Sequence, residues 1–167
     1  MARPRRPTLQ FDALYRESRA DLFAYVVSVV GDRATAEDVV AISFERAYSK
    51  RRAFNPSRGT PRQWLFGIAR NAALDELRKR SRRATPVADA GMHVADGAHA
   101  HDAAGDERAD AIRAAIGGLH PRDRELIALK FFAGLSNEEI AGTLGITEGN
   151  ARVRMHRALT ALREACA

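Results

Sequence analysis

Cysteine is almost missing. Of 167 residues only Cys166 carries a thiol, which excludes an intramolecular disulfide framework. Long apolar runs are missing too: stretches such as 22–30 are broken by small and polar residues and fall short of the ~20 residues that span a bilayer. The basic start MARPRRPT runs into Phe11 and Asp12 with no apolar signal core, so secretion and membrane insertion are not expected, and the cytoplasm is. No Gly-rich phosphate loop or nucleophile motif is present. His93, His99, His101 and Asp102, with His120 beyond, lie in a Gly/Ala-rich stretch that lacks a frame to orient metal ligands. The expectation is a chain that is not an enzyme and holds no cofactor.

What is abundant is positive charge, unevenly spread. Residues 1–83 hold 18 Lys/Arg against 9 Asp/Glu, residues 84–110 hold Arg108 against six acids, and residues 111–167 hold 8 basic against 6 acidic groups. Two basic units therefore flank an acidic segment that has too few apolar residues for a core of its own. The organisation expected is all-α: two small helical domains, 9–83 and 107–165, joined by a flexible acidic linker over 84–106.

In the first unit, Phe11, Leu14, Tyr15, Leu22, Val26, Val29 and Val30 recur at helical spacing up to Gly31. A second helix is expected from Thr35, with Asp38 three residues on, and with Val39, Val40, Phe44, Ala47 and Tyr48 inward. A loop from Phe54 to Gly59 leads to a third helix from about Thr60 to Arg82, with Thr60 as cap, Pro61 in the first turn and Gln63 as capping-box partner. Trp64, Leu65, Ile68, Ala72 and Leu77 form its apolar side. Arg62, Arg70, Arg78, Lys79, Arg80, Arg82 and Arg83 form a basic side suited to a polyanion. The loop pairs Phe54 and Asn55 with Lys50, Arg51, Arg52 and Arg58. Aromatic faces on which bases lie, with cations along the backbone, are the usual grip on single-stranded nucleic acid. The plainer alternatives are a solvated basic helix and, for Trp64, a core position.

The second unit carries the most telling stretch, LSNEEIAGTLGITEGNARVRMHR, residues 135–157. Ser136 and Glu139 fit a capping box, Ile140, Ala141 and Leu144 an inward stripe, and Gly145 a left-handed stop. Thr147 then caps a second helix with Ala151, Met155, Leu159 and Leu162 inward. Glu148, Asn150, Arg152, Val153, Arg154 and Arg157 are left for other faces. This is the pattern of a helix-turn-helix whose second helix enters the major groove, where amides and guanidinium groups read base edges. A helical hairpin that never touches DNA would open in the same way.

With these residues assembled, the chain resembles the extracytoplasmic-function sigma factors of bacterial RNA polymerase, from Phe11 to Arg163. The strings that carry the likeness are AEDVV (36–40), FNPSRGTPRQWLFGIARNAALDELRKR (54–80) and LHPRDRELIALKFFAGLSNEEIAGTLGITEGNARVRMHRALTALR (119–163). The resemblance implies a promoter-specificity factor that binds core polymerase at its β′ clamp and β subunits, recognises the minus-35 and minus-10 elements of promoter DNA and helps to melt it. It also implies a partner anti-sigma factor. Carried over by position, Phe54, Asn55 and Arg58, with Arg46 and Asn71, would receive a flipped minus-10 base, supported by Arg62, Trp64 and Arg70. Glu37 and Asp38, with Phe44, would serve polymerase docking. Thr147, Glu148, Asn150, Arg152, Val153, Arg154 and Arg157 would serve the minus-35 element.

The resemblance implies for the linker a path through the polymerase cleft, where its negative charge mimics nucleic acid; a plain solvated spacer is the alternative. The chain departs from the family pattern at Ile42, where an acid is usual, and at Asn150, Ala151 and Val153 in the recognition helix. The remaining alternative is a free-standing helix-turn-helix regulator, which would bind palindromic duplex as a dimer and would not need Arg46 or the 54–70 stretch. No domain beyond the recognition helix is expected, so further regulation would come from another protein.

Overall fold

The computed structural model describes residues 9–84 and 114–165, and regular structure among them is helical throughout. The linker expected over 84–106 lies, but for Ala84, outside the described residues, as do His93, His99, His101, Asp102 and Cys166.

α1 (Phe11–Val30) ends at Gly31, whose φ of 73° is left-handed and whose N–H bonds Val27 O; any side chain there would be strained. α2 (Arg33–Ser49) follows at once. Its cap is Asp32, which accepts from the Thr35 N–H at 2.8 Å and the Thr35 hydroxyl at 2.5 Å. The start thus lies earlier than the expected Thr35, which is the donor and not the cap, because Asp32 follows the reversing glycine in extended backbone and is as good a cap as Thr. Arg80 reaches the same carboxylate at 3.1 Å. The Thr35 hydroxyl, the Thr35 N–H and then Arg80 hold the Asp32 carboxyl below its usual range. Two short 3-10 turns, Arg51–Ala53 and Pro56–Arg58, shape the expected loop. α3 (Pro61–Ala84) opens with the Gln63 N–H bonded to the Thr60 hydroxyl at 3.2 Å.

These three helices share one core in which Leu22, Tyr25, Val26, Leu65 and Phe66 are fully enclosed. Ala36, Ala47, Ala69 and Ala73 are equally buried, and their small side chains let the helices approach closely. Phe66 meets Tyr25 edge-on, ring centres 5.5 Å apart. The expected apolar side of α3 is turned from the observed one: Phe66, Ala69 and Ala73 are buried while Trp64 and Ile68 are only half-buried. α3 is covered from two directions, by α1 and α2 and also by the second unit. Tyr48, expected inward, is 51% exposed. It lies at the end of α2, with the Arg51 guanidinium 3.8 Å above its ring.

In the second unit, α4 (Pro121–Phe131), α5 (Asn137–Leu144) and α6 (Glu148–Ala165) close over Leu126, Leu129, Ala133, Leu135, Ile140 and Ala151. α5 is the expected first helix of the helix-turn-helix. Its capping box between Ser136 and Glu139 is complete, and Gly145 stops it at φ 67°. Thr147 caps α6 through a 3.2 Å bond from the Asn150 N–H. Met155 and Ala158 continue the inward face. The two units dock, α1 against α4 and α3 against α5.

Candidate nucleic-acid interface

An open cleft of about 640 Å³ runs along the first turns of α3 and the loop before it, lined by Phe54, Asn55, Arg58, Trp64 and Asn71 among others. Asn55, Arg58 and Asn71 are exposed on its walls. The Asn55 side-chain oxygen is occupied by the Ser57 N–H at 3.1 Å and the Ser57 hydroxyl at 2.8 Å, which leaves its NH2 as the donor on this wall. Phe54 is only 7% exposed and packs its ring 5.5 Å from that of Trp64. Its expected role as an open platform is therefore corrected: the loop folds back and buries the ring, and the half-buried Trp64 presents the more accessible aromatic surface. Arg46 does not line the cleft. It faces Asp75 at 3.8 Å, one turn beyond Asn71 on the same side of α3. Aromatic surface, an amide pair and a cation in one trough match the chemistry of an unstacked base with its phosphate.

Most of the expected basic side of α3 is engaged within the chain. Arg62 bonds Asp21 at 2.6 Å, the Phe132 carbonyl at 3.2 Å and the Ala133 carbonyl. Arg70 makes a two-pronged bond to Glu125, at 2.6 and 3.3 Å, and the two side chains are 18% and 6% exposed. Arg80 is held by Asp32, and Arg78 by Asp75 at 3.3 Å. Arg62 and Arg70, expected to meet DNA, thus bridge the two units in this arrangement; a guanidinium this close to a carboxylate and to helix-end carbonyls satisfies both.

Sequence reasoning missed the residues that answer them. Glu139 accepts from the Thr60 hydroxyl at 2.6 Å, and its carbonyl accepts from the Gln63 side chain at 3.2 Å. Gln63 therefore bridges the units and does not close the expected capping box. Burial works to raise the Glu139 pKa, but bonds from Thr60 and Ser136, with Arg62 nearby, outweigh it and leave the carboxyl below its usual range. Tyr25 lies beside Glu125 without the geometry of a hydrogen bond. Its burial, then the charge of Glu125, push the Tyr25 pKa well up. The sequence hides this acid, because Glu125 closes the charged string 122–125 and the apolar run of α4 begins only at Leu126; once buried, such a carboxylate is nearly always paired.

On α6, Asn150, Arg152, Val153 and Arg157 are exposed, Val153 by 51%. Glu148 is exposed and receives Arg152 at 2.7 Å, and Thr147 is exposed with its hydroxyl engaged as the cap. Arg154 departs from the groove-facing expectation. It turns toward α4 and bonds Asp123 at 3.0 and 3.1 Å, because position 154 lies three residues after Ala151 and four before Ala158, on the inward side of the helix. On α2, Glu37 and Asp38 are exposed, as is Ile42. Phe44 is not a docking surface: it is buried, with the rings of Tyr15 at 4.6 Å and Phe11 at 6.3 Å.

Two family models match, Sigma-70 region 2 over residues 14–83 and Sigma-70 region 4 over residues 109–162. The ECF RNA polymerase sigma factor SigL of Mycobacterium tuberculosis is 35% identical over 153 residues, covering 90% of this chain and 85% of the relative. The chain belongs to the ECF RNA polymerase sigma factors. A further relative is the RNA polymerase sigma factor CarQ of Myxococcus xanthus, 33% identical, covering 92% of this sigma factor and 87% of the relative. Among solved structures, the sigma factor RpoE of Bartonella quintana, seen in complex with the anti-sigma factor NepR, superposes with a TM-score of 0.72 at 26% identity. The match covers 93% of this chain and 95% of that one. CnrH, in complex with the cytosolic domain of CnrY, shares the fold at a TM-score of 0.63 and 23% identity. This sigma factor is accordingly a promoter-specificity factor whose partners are core RNA polymerase and promoter DNA. Sigma factors are not enzymes in the usual sense. No helix among the described residues is long and apolar enough to cross a membrane.

Proposed function

We propose that the cleft beside α3 receives a single-stranded base of the minus-10 element and that the exposed face of α6 reads the minus-35 element as duplex. The observation that carries the first part is the trough itself, with Asn55, Asn71, Arg58 and Trp64 on its walls. For the second, Asn150, Arg152, Val153 and Arg157 supply amide, cationic and apolar groups on one exposed helix, the types that read major-groove edges and thymine methyls. Glu37, Asp38 and Ile42 on the open face of α2 serve as the polymerase-docking side. The units expected from the sequence, 9–83 and 107–165, act at fixed spacing once polymerase holds both, which turns two weak recognitions into one intramolecular event. An anti-sigma factor is part of the proposal because the similar RpoE is seen bound to one. A cytoplasmic location follows from the need to reach polymerase and promoter.

The test is multi-round transcription in vitro with bacterial core polymerase, this protein and a pool of genomic promoter fragments. Transcripts that require the protein are expected, with Asn71→Ala relaxing or losing the minus-10 preference and Arg152→Ala altering the minus-35 preference. Absence of core binding and of transcripts, together with tight binding of a palindromic duplex by the protein alone, overturns the reading in favour of a free-standing regulator.

A further inference from the structure

The inward face of α6 is thin. Ala151, Met155 and Ala158 are buried, with Leu159 and Leu162 half-buried toward the far end. Around the first two turns that is two methyl groups and a thioether chain flexible enough to fit gaps of many shapes. Such a face sets how deeply the helix packs but holds its rotation weakly. Rotation matters, because a turn of about 20° carries a group at the ~6 Å outer radius of a helix about 2 Å sideways, enough to break a hydrogen bond to a base edge. A polar contact supplies the missing constraint. Arg154 Nε and Nη2 both donate to Asp123 Oδ1, at 3.1 and 3.0 Å, and the two side chains are 20% and 30% exposed. The neighbouring Arg152 pairs with Glu148 of its own helix in the open, which fixes nothing between helices. Asp123 is itself well anchored: it lies in the first turn of α4, its N–H bonds the His120 carbonyl at 2.8 Å, and a carboxylate suits that end of a helix.

We propose that Asp123 is a positioning residue for minus-35 reading: by tying Arg154 to α4 it fixes the rotation of α6 and keeps that guanidinium off the duplex. Sequence is then read by Asn150, Arg152, Val153 and Arg157 in one register. The inference rests on the minus-35 role of α6 given above. Asn150 and Arg157, four residues before Arg154 and three after, are its neighbours on the helix surface, and both are exposed. Arg154 thus stands at the border between the buried stripe and the reading stripe, and once released it would reach the same DNA. A cation that finds phosphates on any sequence adds affinity without adding discrimination.

The experiment uses holoenzyme assembled from bacterial core polymerase and the full chain. The probe is a duplex library randomised over the minus-35 region and otherwise fixed as a promoter taken from the transcription pool. Sequencing of the bound fraction gives a discrimination ratio, and a scrambled duplex titrated across a salt series gives the non-specific affinity. Asp123→Ala is expected to lower the ratio about tenfold, the worth of one base-edge contact, while steepening the salt slope on the scrambled duplex by about one. Arg154→Gln should lower the ratio similarly without steepening the slope. Exchange of the pair, Asp123→Arg with Arg154→Asp, should recover most of the ratio, with helical circular dichroism kept throughout. An unchanged ratio in Asp123→Ala, or specific and scrambled binding falling together as a merely structural role would have it, overturns the proposal. A ratio lost in Arg154→Gln but kept in Asp123→Ala overturns it as well, by assigning the reading to Arg154 itself. A parent holoenzyme with no minus-35 preference is a separate result: it overturns the earlier reading of α6, and this inference with it, before any variant is compared.

Discussion

Exchange of Arg70 for Met removes the guanidinium from a pair whose other member, Glu125, is 6% exposed. Stripping the partner from a buried charge costs about 3 to 5 kcal/mol, because the desolvation remains while the attraction is lost. The lower end applies here, since Arg70 is itself 18% exposed and water can reach part of the site. The value expected is about 3 kcal/mol, more than a hundredfold in the docking equilibrium. Undocking sets a ceiling on what global unfolding can show: Glu125 faces α1 and α3 and regains water when the units part. The loss therefore falls on docking first, and amides of α4 should exchange faster than those of α1. Glu125→Leu alone should cost a similar amount, by leaving Arg70 short of its partner, while the double variant should return to within about 1 kcal/mol of the parent. The assay is a double-mutant cycle read by hydrogen exchange and urea unfolding of the full chain. A coupling below about 0.5 kcal/mol, with the two losses simply adding, would refute the claim that this pair holds the units together.

Phe66→Ala empties the centre of the first unit, where the ring is fully enclosed against Tyr25, and should lower stability by about 3 to 5 kcal/mol in urea titration. Ser136→Ala removes the oxygen that accepts the Glu139 N–H at 3.1 Å and should cost about 1 kcal/mol, seen as a lower thermal midpoint for the helix-turn-helix unit. Because the Glu139 carboxyl titrates below its unfolded value, its contribution is fully present above the ordinary glutamate range and is lost as pH falls through its lowered folded value. An acid titration of the full chain followed by X-ray scattering should show the two units parting in that window, and the Glu139→Gln chain should show none of this step. Arg157→Ala, an exposed cation on α6, should weaken duplex binding by the polymerase-bound protein and reduce the slope of log affinity against log salt by about one.

Much of this protein was written locally. The stop at Gly31, the Ser136–Glu139 capping box, the turn at Gly145 and the Thr147 cap depend on contacts within four residues, and apolar periodicity placed the helices between them. Such signals are readable because each is satisfied inside its own segment. The loop side of the trough was legible in the same way, since Phe54, Asn55 and Arg58 follow one another, whereas Asn71 came only from the family resemblance and the wall at Gly142 and Thr143 only from tertiary packing. What the chain could not disclose residue by residue is where long side chains go once a second surface is present. Arg62, Arg70 and Arg154 look alike in the sequence as free cations, yet each ends on a carboxylate from another helix. Phe54 looks like a surface aromatic and is buried, whereas the burial of Phe44 is what its helical spacing foretold. Thr60 meets Glu139 across 79 residues. Those outcomes are tertiary because a guanidinium or a carboxylate is nearly as well served by water as by any of several partners until packing removes the water, and only the arrangement of the helices, within each unit and between the two, decides which partner is within reach.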